Sequence, residues 1–320
     1  MSQRIIVAYN PRSSKHARIR EEVIEPVQKL PGYIIGKYEI KSAPVDENVE
    51  ALAKILSDGD FLIAAGGDGS ATVAVNAAMR SEADVTLGVL GYGNFNDFAR
   101  MIKSRNLEQI IRDFENGKVK ELYPLEAKVD GKLWRYAACY FTMGMFAEST
   151  KIFDMPKTRN ILRKGKKSLV FSVVELAKWY FKNKKNEFLD SSIRVDGIAL
   201  NRKKVNRFGR MKDVKSKHVS DILFVNGSSV ARVMKGGDYW QSSREFFVGF
   251  GRLKGLFRLG RFMMKSMLGK MPGRVTKKEI TIEFAEKTEF EIQAEGECIR
   301  MKASKLVIGK ATRGVKVVIS

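Results

Sequence analysis

Cysteine and histidine are almost missing from this chain, with two of each in 320 residues. Cys139 and Cys298 are too few and too far apart in sequence to suggest a disulfide framework, which fits a reducing cytosol. His16 and His218 stand alone, so no zinc-type cluster is expected. Long apolar runs are missing as well. No uninterrupted stretch approaches the roughly 20 residues that span a bilayer. The apolar run at residues 5–9 is too short for a signal peptide and reads as a first strand. The expectation is a soluble or peripheral protein, with no internal repeat and no low-complexity linker. Acidic residues are scarce relative to basic ones, 36 against 58, leaving a formal net charge of +22. Such an imbalance points to a polyanion or an anionic surface as partner. Hydrophobic residues make up 44%, which excludes wholesale disorder, and the length suits two domains with a sizeable core.

Glycine, by contrast, occurs in patterned places. Gly66-Gly67-Asp68-Gly69-Ser70 follows the apolar run Phe61-Leu62-Ile63-Ala64-Ala65 and leads into Ala71-Thr72-Val73-Ala74-Val75. This reads as strand, tight turn, helix start. Glycines let a backbone approach a ligand closely, and the N-terminus of a helix favours an anion, most often phosphate. Asp68 in such a place calls for a cation, and Mg²⁺ bridging to phosphates suits it. A second strand-like run, Leu87-Gly88-Val89-Leu90, ends in Gly91-Tyr92-Gly93-Asn94-Phe95-Asn96-Asp97-Phe98-Ala99-Arg100. In an open parallel sheet adjacent strand ends form the ligand crevice, so the two segments together predict one phosphate-and-metal site. The plain structural readings are a strand–helix turn with an acidic N-cap and, for Asn96-Asp97, a cap on the helix beginning near Phe98.

The first part alternates strand and helix: strands at 5–9, 33–40, 61–65 and 87–90, and helices at 16–30, 49–56 and 107–114. That order predicts a Rossmann-like parallel sheet with helices on both faces. From about Tyr123 shorter strand-like runs take over, at 125–129, 134–143, 193–195, 222–225, 280–284, 290–294, 305–308 and 315–319. The predicted fold is α/β with a mostly β second domain. The boundaries are 1–122 for the α/β domain, 123–308 for the β-rich domain with its basic inserts, and 309–320 for a final strand returning to the first.

These motifs resemble the lipid kinases that carry the diacylglycerol kinase catalytic domain, related more distantly to NAD kinases. The family pattern is Asn-Pro near the first strand, Gly-Gly-Asp-Gly-Thr, Pro-x-Gly-Thr-x-Asn-Asp-Phe-Ala-Arg, and a late Asp-Gly-Glu. Here stand Tyr9-Asn10-Pro11-Arg12-Ser13-Ser14, Gly66 to Ser70, Gly91 to Arg100, and Ala294-Glu295-Gly296-Glu297-Cys298, in the same order along nearly the whole chain. The resemblance implies a sandwich for the second domain and a bacterial-type lipid kinase, peripheral on the cytoplasmic face of the membrane, that uses ATP and Mg²⁺. By the same resemblance Asn10, Ser13, Ser14, Ser42, Gly66, Gly67, Gly69, Ser70, Gly93, Asn94 and Asn96 serve the nucleotide. Asp68 and Asp97 organise Mg²⁺ and phosphate, and Glu297 is the general base that takes the proton of the lipid alcohol. Asp68 is the alternative base, and a β-turn with solvated acids is the plain reading of Glu295-Gly296-Glu297.

The departures are informative. The family threonines are Ser70 and Asn94, the proline is Gly91, Thr72-Val73 replaces the usual Asn-Glu, and Glu295 replaces the aspartate of Asp-Gly-Glu. No clear match exists in residues 122–126 for an aspartate expected after the first domain. The Pro-x-Ala-x-x-x-Asp-Gly loop that helps bind a structural Mg²⁺ in bacterial members is also missing, so no second metal is assigned. Two basic segments interrupt the β domain. Residues 157–185 hold an apolar helix with lysines at both ends. In residues 246–268, placed on a helix, Leu253, Leu256, Phe257, Met264 and Met267 fall broadly on one side. Both suit an anionic membrane surface; the plain reading is apolar sides packed on the β domain with solvated charges. Other readings are a non-catalytic anionic-lipid binder, an NAD kinase-like enzyme, or a nucleic-acid binder motivated by charge alone, with no recognised binding motif. The lipid and the oligomeric state are open.

Overall fold

The structure is a computed structural model that describes residues 3–93, 95–154, 178, 193–196, 198–200, 221–230, 234–251 and 256–320. In chain order it begins with β1 (Gln3–Tyr9), α1 (His16–Ile19), a π-helical turn (Arg20–Ile24), α2 (Glu25–Val27) and β2 (Tyr33–Glu39). Then come α3 (Val45–Ala53), β3 (Phe61–Gly66), α4 (Asp68–Arg80), β4 (Thr86–Gly91), α5 (Asp97–Met101), α6 (Leu107–Glu115) and β5 (Val119–Leu122). β6 (Leu125–Val129), β7 (Lys132–Ala137), β8 (Tyr140–Gly144) and α7 (Met145–Asp154) open the second half. β9 (Ile193–Val195), β10 (Ile198–Leu200), β11 (Asp221–Val225), β12 (Ser229–Val230), β13 (Met234–Lys235) and β14 (Phe246–Gly251) follow. The chain finishes with α8 (Leu256–Met267), β15 (Gly273–Thr276), β16 (Ile280–Ala294), β17 (Glu297–Lys310) and β18 (Val315–Val318).

The first sheet runs β2-β1-β3-β4-β18-β5, parallel except for the β18–β5 pair. Residues 5–9 of β1 and 61–65 of β3 are apolar throughout because both faces are covered. Ile6, Ala8, Leu62 and Ala64 pack with α3 and α4 through Leu52, Val73 and Ala77. Ile5, Val7, Phe61 and Ile63 pack on the other side with Ile19, Val23 and Ile110. The second sheet is ten-stranded and antiparallel, β15-β14-β11-β8-β16-β17-β6-β7 with β9 and β10 attached at β16. The α/β architecture with a mostly β second half is therefore as its pattern suggested.

Several elements differ from their sequence reading, each for a physical reason. α3 starts at Val45, directly after Pro44, with Asp46 and Glu47 in its first turn, where acids suit the helix dipole. Residues 134–143 form two strands because the chain leaves the ladder at Ala138 and Cys139. The carbonyls there accept Asn226 Nδ2 at 2.7 Å and the Asn226 and Gly227 amides at 2.7 and 2.9 Å. The runs at 280–284 and 290–294 are one strand with an irregularity between Glu283 and Thr288. The segment 246–268 is not a single helix. Its first six residues are β14, whose Phe246, Val248 and Phe250 alternate into the core. The first basic segment, 157–185, lies outside the described residues apart from Lys178, and so does Asn94.

One polar junction joins the two halves and another braces the second. Asn76 is fully buried on α4 and exchanges two hydrogen bonds with the Tyr136 backbone, accepting from its N–H at 2.8 Å and donating to its carbonyl at 2.9 Å. It thus serves as a strand neighbour for β7. At the end of β17, Lys310 Nζ donates to the Tyr123 carbonyl at 2.8 Å, the Tyr239 carbonyl at 2.9 Å and Asn226 Oδ1.

Candidate active site

The β3–β4 register places Gly66 opposite Gly91, so the two glycine turns lie side by side. The Tyr92 amide donates to the Gly66 carbonyl at 2.7 Å. A Cβ on Gly93 would lie 2.5 Å from Gly67 Cα and 2.8 Å from Asn96 Oδ1, and one on Gly66 would lie 2.2 Å from Ser70 Oγ. These glycines are demanded by the protein's own packing. Gly69 is different: it is exposed in the first turn of α4, and an added Cβ would meet nothing within 4 Å. The missing side chain there leaves the N-terminus of a 13-residue helix open to an anion.

Asp68 ties the turns together. Its Oδ2 accepts the Asn96 amide at 2.9 Å and its Oδ1 accepts the Asp97 amide at 2.7 Å. The acid at the head of α4 therefore caps α5, a neighbour 29 residues along the chain. Asn96 holds a left-handed φ of 53°, which asparagine tolerates. Its side chain accepts from the Gly93 amide at 2.7 Å and donates to the Gly93 and Gly91 carbonyls at 3.0 and 3.2 Å. Asp97 is buried, accepts the Ser229 hydroxyl at 2.8 Å and pairs with Arg100. Burial, and then the neighbouring Asp97 charge, push Asp68 up to about 6, against the pull of its two amide donors.

The third carboxylate in this place is Glu295. β16 and β17 are joined by a two-residue turn, Glu295-Gly296, both at positive φ (48° and 96°), with Ala294 opposite Glu297. A turn of that kind favours Asn or Asp in its first position. Glu295 is held there by its buried side chain, which accepts the Thr72 hydroxyl at 3.0 Å and the Cys139 amide. Burial pushes it up to about 7, with Asp68 and Asp97 adding repulsion. Glu297 points to a different set of groups. It pairs with Arg135, a guanidinium only 1% exposed that also reaches Asp46 at 3.3 Å and lies over the Trp134 ring at 5.0 Å.

The remaining candidate residues lie along the same sheet edge. Asn10 follows β1, its Oδ1 accepting the Arg12 amide at 2.9 Å and its carbonyl the Ser13 amide at 3.0 Å. Ser13 Oγ accepts the Lys15 amide at 3.3 Å. Ser14 and Ser42 are exposed, and Ser42 comes just after β2. Ser70 is buried behind the turn. Since β2, β1, β3 and β4 are parallel neighbours, all these positions follow strand C-termini on one edge, where open α/β sheets bind ligands.

The sequence reading did not single out Thr72, Arg135, Cys139 and Ser229 as parts of this cluster. One signal was available. Thr72 stands where the family usually has Asn and Glu295 where it has Asp, and these two departures touch each other, one side chain shorter and the other longer. Among the described residues no group of three or more His, Cys, Asp or Glu side chains could hold a metal ion. Asp68 and Asp97 still fit Mg²⁺, which takes one or two carboxylates and completes its shell with phosphate oxygens and water.

An α/β domain with glycine turns, an open helix N-terminus and paired acids on one edge has the layout in which open α/β sheets bind phosphate-bearing ligands. Residues 4–126 match the family model of the diacylglycerol kinase catalytic domain. A diacylglycerol kinase of Staphylococcus aureus (strain bovine RF122 / ET3-1) is 30% identical over 173 residues, 48% of this chain and 54% of its own. One of Staphylococcus epidermidis (strain ATCC 35984) is 34% identical over the same shares. The match thus spans about half the length of these curated relatives. A solved diacylglycerol kinase structure from Bacillus anthracis str. Sterne shares the fold at TM-score 0.61 and 13% identity, covering 99% of this chain and 97% of that one.

Proposed function

We propose that the protein is an ATP- and Mg²⁺-dependent lipid kinase that phosphorylates the hydroxyl of a diacylglycerol-like lipid at the inner face of the cytoplasmic membrane. The observation that carries this reading is the contact between the two glycine turns, which leaves Gly69 open beside Asp68 and Asp97. The names of the staphylococcal relatives support a diacylglycerol-like acceptor. When bound, ATP supplies the phosphoryl group and Mg²⁺ offsets the charge on its oxygens. The α4 N-terminus and Gly67–Gly69 receive phosphate, with Asn10, Ser13, Ser14 and Ser42 along the same edge for the rest of the nucleotide. Asp68 and Asp97 hold the metal ion. Glu297, two residues from the Glu295 anchor, accepts the proton of the acceptor hydroxyl, while Arg135 orients its carboxylate. Glu295 is a buried positioning group.

The test is ATP turnover with Mg²⁺ over diacylglycerol, phosphatidylglycerol and a long-chain base in mixed micelles, beside Asp68→Ala and Glu297→Gln. Labelled phosphate on one lipid, lost in both variants, is the expected result. Glu297→Gln should still bind ATP. Transfer to NAD instead of a lipid would refute the reading. ATP binding without transfer to any lipid would also refute it and leave a non-catalytic lipid-binding protein.

A further inference from the structure

α8 has two opposite sides, and among the described residues only one of them is buried. Phe262 is buried, its ring 5.6 Å from that of Phe146 on α7. Ser266, fully buried, donates to the Phe262 carbonyl at 2.8 Å. Those two residues seat the helix. At 100° per residue, Phe257, Arg261, Met264 and Leu268 recur at i, i+4, i+7 and i+11 on the opposite side. There Phe257 is 82% exposed, Met264 59% and Leu268 62%, with Met267 beside them at 45%. This stripe is not covered by the β domain.

Charge selects the occupant. Between Glu245 and Glu279 the sequence contains nine Lys or Arg residues and no Asp or Glu. A second copy of the chain would bring the same positive segment, including Arg261 within the stripe, against this one, which opposes self-association. An anionic phospholipid surface satisfies both features, since it accepts the apolar side chains and attracts the bases around them. The helix has 12 residues, about 18 Å long and far short of a bilayer core of about 30 Å. It suits lying in the interface plane.

We propose that the Phe257–Met264–Leu268 stripe of α8, with Arg261 within it, inserts into anionic phospholipid bilayers and docks the protein on them. The role of this docking in presenting an acceptor lipid rests on the lipid-kinase reading; the docking itself does not. Each basic residue near such a surface contributes about fivefold to partitioning, so binding should fall steeply with salt.

The test is sedimentation with vesicles of equimolar phosphatidylglycerol and phosphatidylcholine, and with pure phosphatidylcholine. Wild type should bind the anionic vesicles at least about tenfold more tightly than the neutral ones. Phe257→Ser/Met264→Ser/Leu268→Ser should lose at least about tenfold of that binding with its melting temperature unchanged. Phe257→Trp should shift its emission to the blue on anionic vesicles and keep wild-type binding. Equal sedimentation of triple variant and wild type would overturn the proposal, as would equal binding to both vesicles. A wild-type dimer that becomes monomeric in the triple variant would assign the stripe to a second copy instead. Because vesicle binding is read without turnover, a failed kinase assay leaves this result standing, and a failed vesicle assay leaves the kinase test intact.

Discussion

Exchanging Gly93 and Gly69 separately for alanine divides the glycines the protein needs from the one its ligand needs. In Gly93→Ala the new Cβ would sit 2.5 Å from Gly67 Cα, backbone that cannot rotate away, and 2.8 Å from Asn96 Oδ1. The two turns must part, and overpacking of this kind costs about 1–3 kcal/mol. At about 2–4 °C per kcal/mol, the melting temperature should fall by roughly 2–12 °C. Parting the turns also stretches the hydrogen bonds that the Asn96 and Asp97 amides donate to the Asp68 carboxylate, so ATP binding should weaken in the same variant. Gly69→Ala adds a Cβ with no neighbour within 4 Å, at a helical position where alanine is preferred by up to about 1 kcal/mol. Its melting temperature should hold or rise, while its ATP affinity falls at least about tenfold, which is about 1.4 kcal/mol. Differential scanning fluorimetry and isothermal titration calorimetry read the two effects separately. Wild-type ATP affinity in Gly69→Ala would refute phosphate binding at the α4 N-terminus. Wild-type melting in Gly93→Ala would refute the packing argument.

Glu295 makes stability depend on pH. Its pKa is raised from 4.5 to about 7, so between those values the folded state keeps a proton that the unfolded chain releases. Stability should therefore fall as pH rises through that window, by about 3 kcal/mol from this group, and level off above it. Glu295→Gln should flatten the melting curve against pH; an unchanged slope would contradict the assignment. ATP with Mg²⁺ should raise the melting temperature more near about pH 8 than near about pH 5, because Asp68, raised to about 6, is ionised only in the former; chelating the metal should erase the difference. Thr72→Asn and Glu295→Asp should each destabilise the fold, and the double variant should recover most of the loss, since the contact needs one short and one long partner; additive losses in a double-mutant cycle would rule out the coupling. Lys310→Met leaves three carbonyl oxygens without their shared donor and should cost about 2–4 kcal/mol, measured by denaturant unfolding.

Much of the first domain was legible because its signals are local. An apolar strand, a glycine turn and a helix start occupy consecutive residues in both motif segments, and residues 5–9 of β1 and 61–65 of β3 are apolar throughout because helices cover both faces. The long β16–β17 hairpin was harder to read. Exposed charged residues interrupt the apolar pattern near its irregularity, so one strand looked like two. In 246–268 the spacing of Leu253, Leu256, Phe257, Met264 and Met267 suggested a helix, yet the alternation of Phe246, Val248 and Phe250 made the first six residues a strand.

The chain's own order of residues determined the α/β beginning, the glycine turns at 66–70 and 91–100, the excess of positive charge, and the kinship these motifs express. Tertiary structure alone decided which carboxylates meet. The Asp68 carboxylate accepts hydrogen bonds from the Asn96 and Asp97 backbone amides across the two turns, and Glu295 reaches Thr72 from a hairpin more than two hundred residues away, while Glu297 turns to Arg135. Contacts at such separations follow from sheet register and from which side of a turn a side chain leaves. The exposure of Phe257, Met264 and Leu268 was likewise invisible in the sequence, because an apolar stripe looks the same whether protein or solvent lies against it.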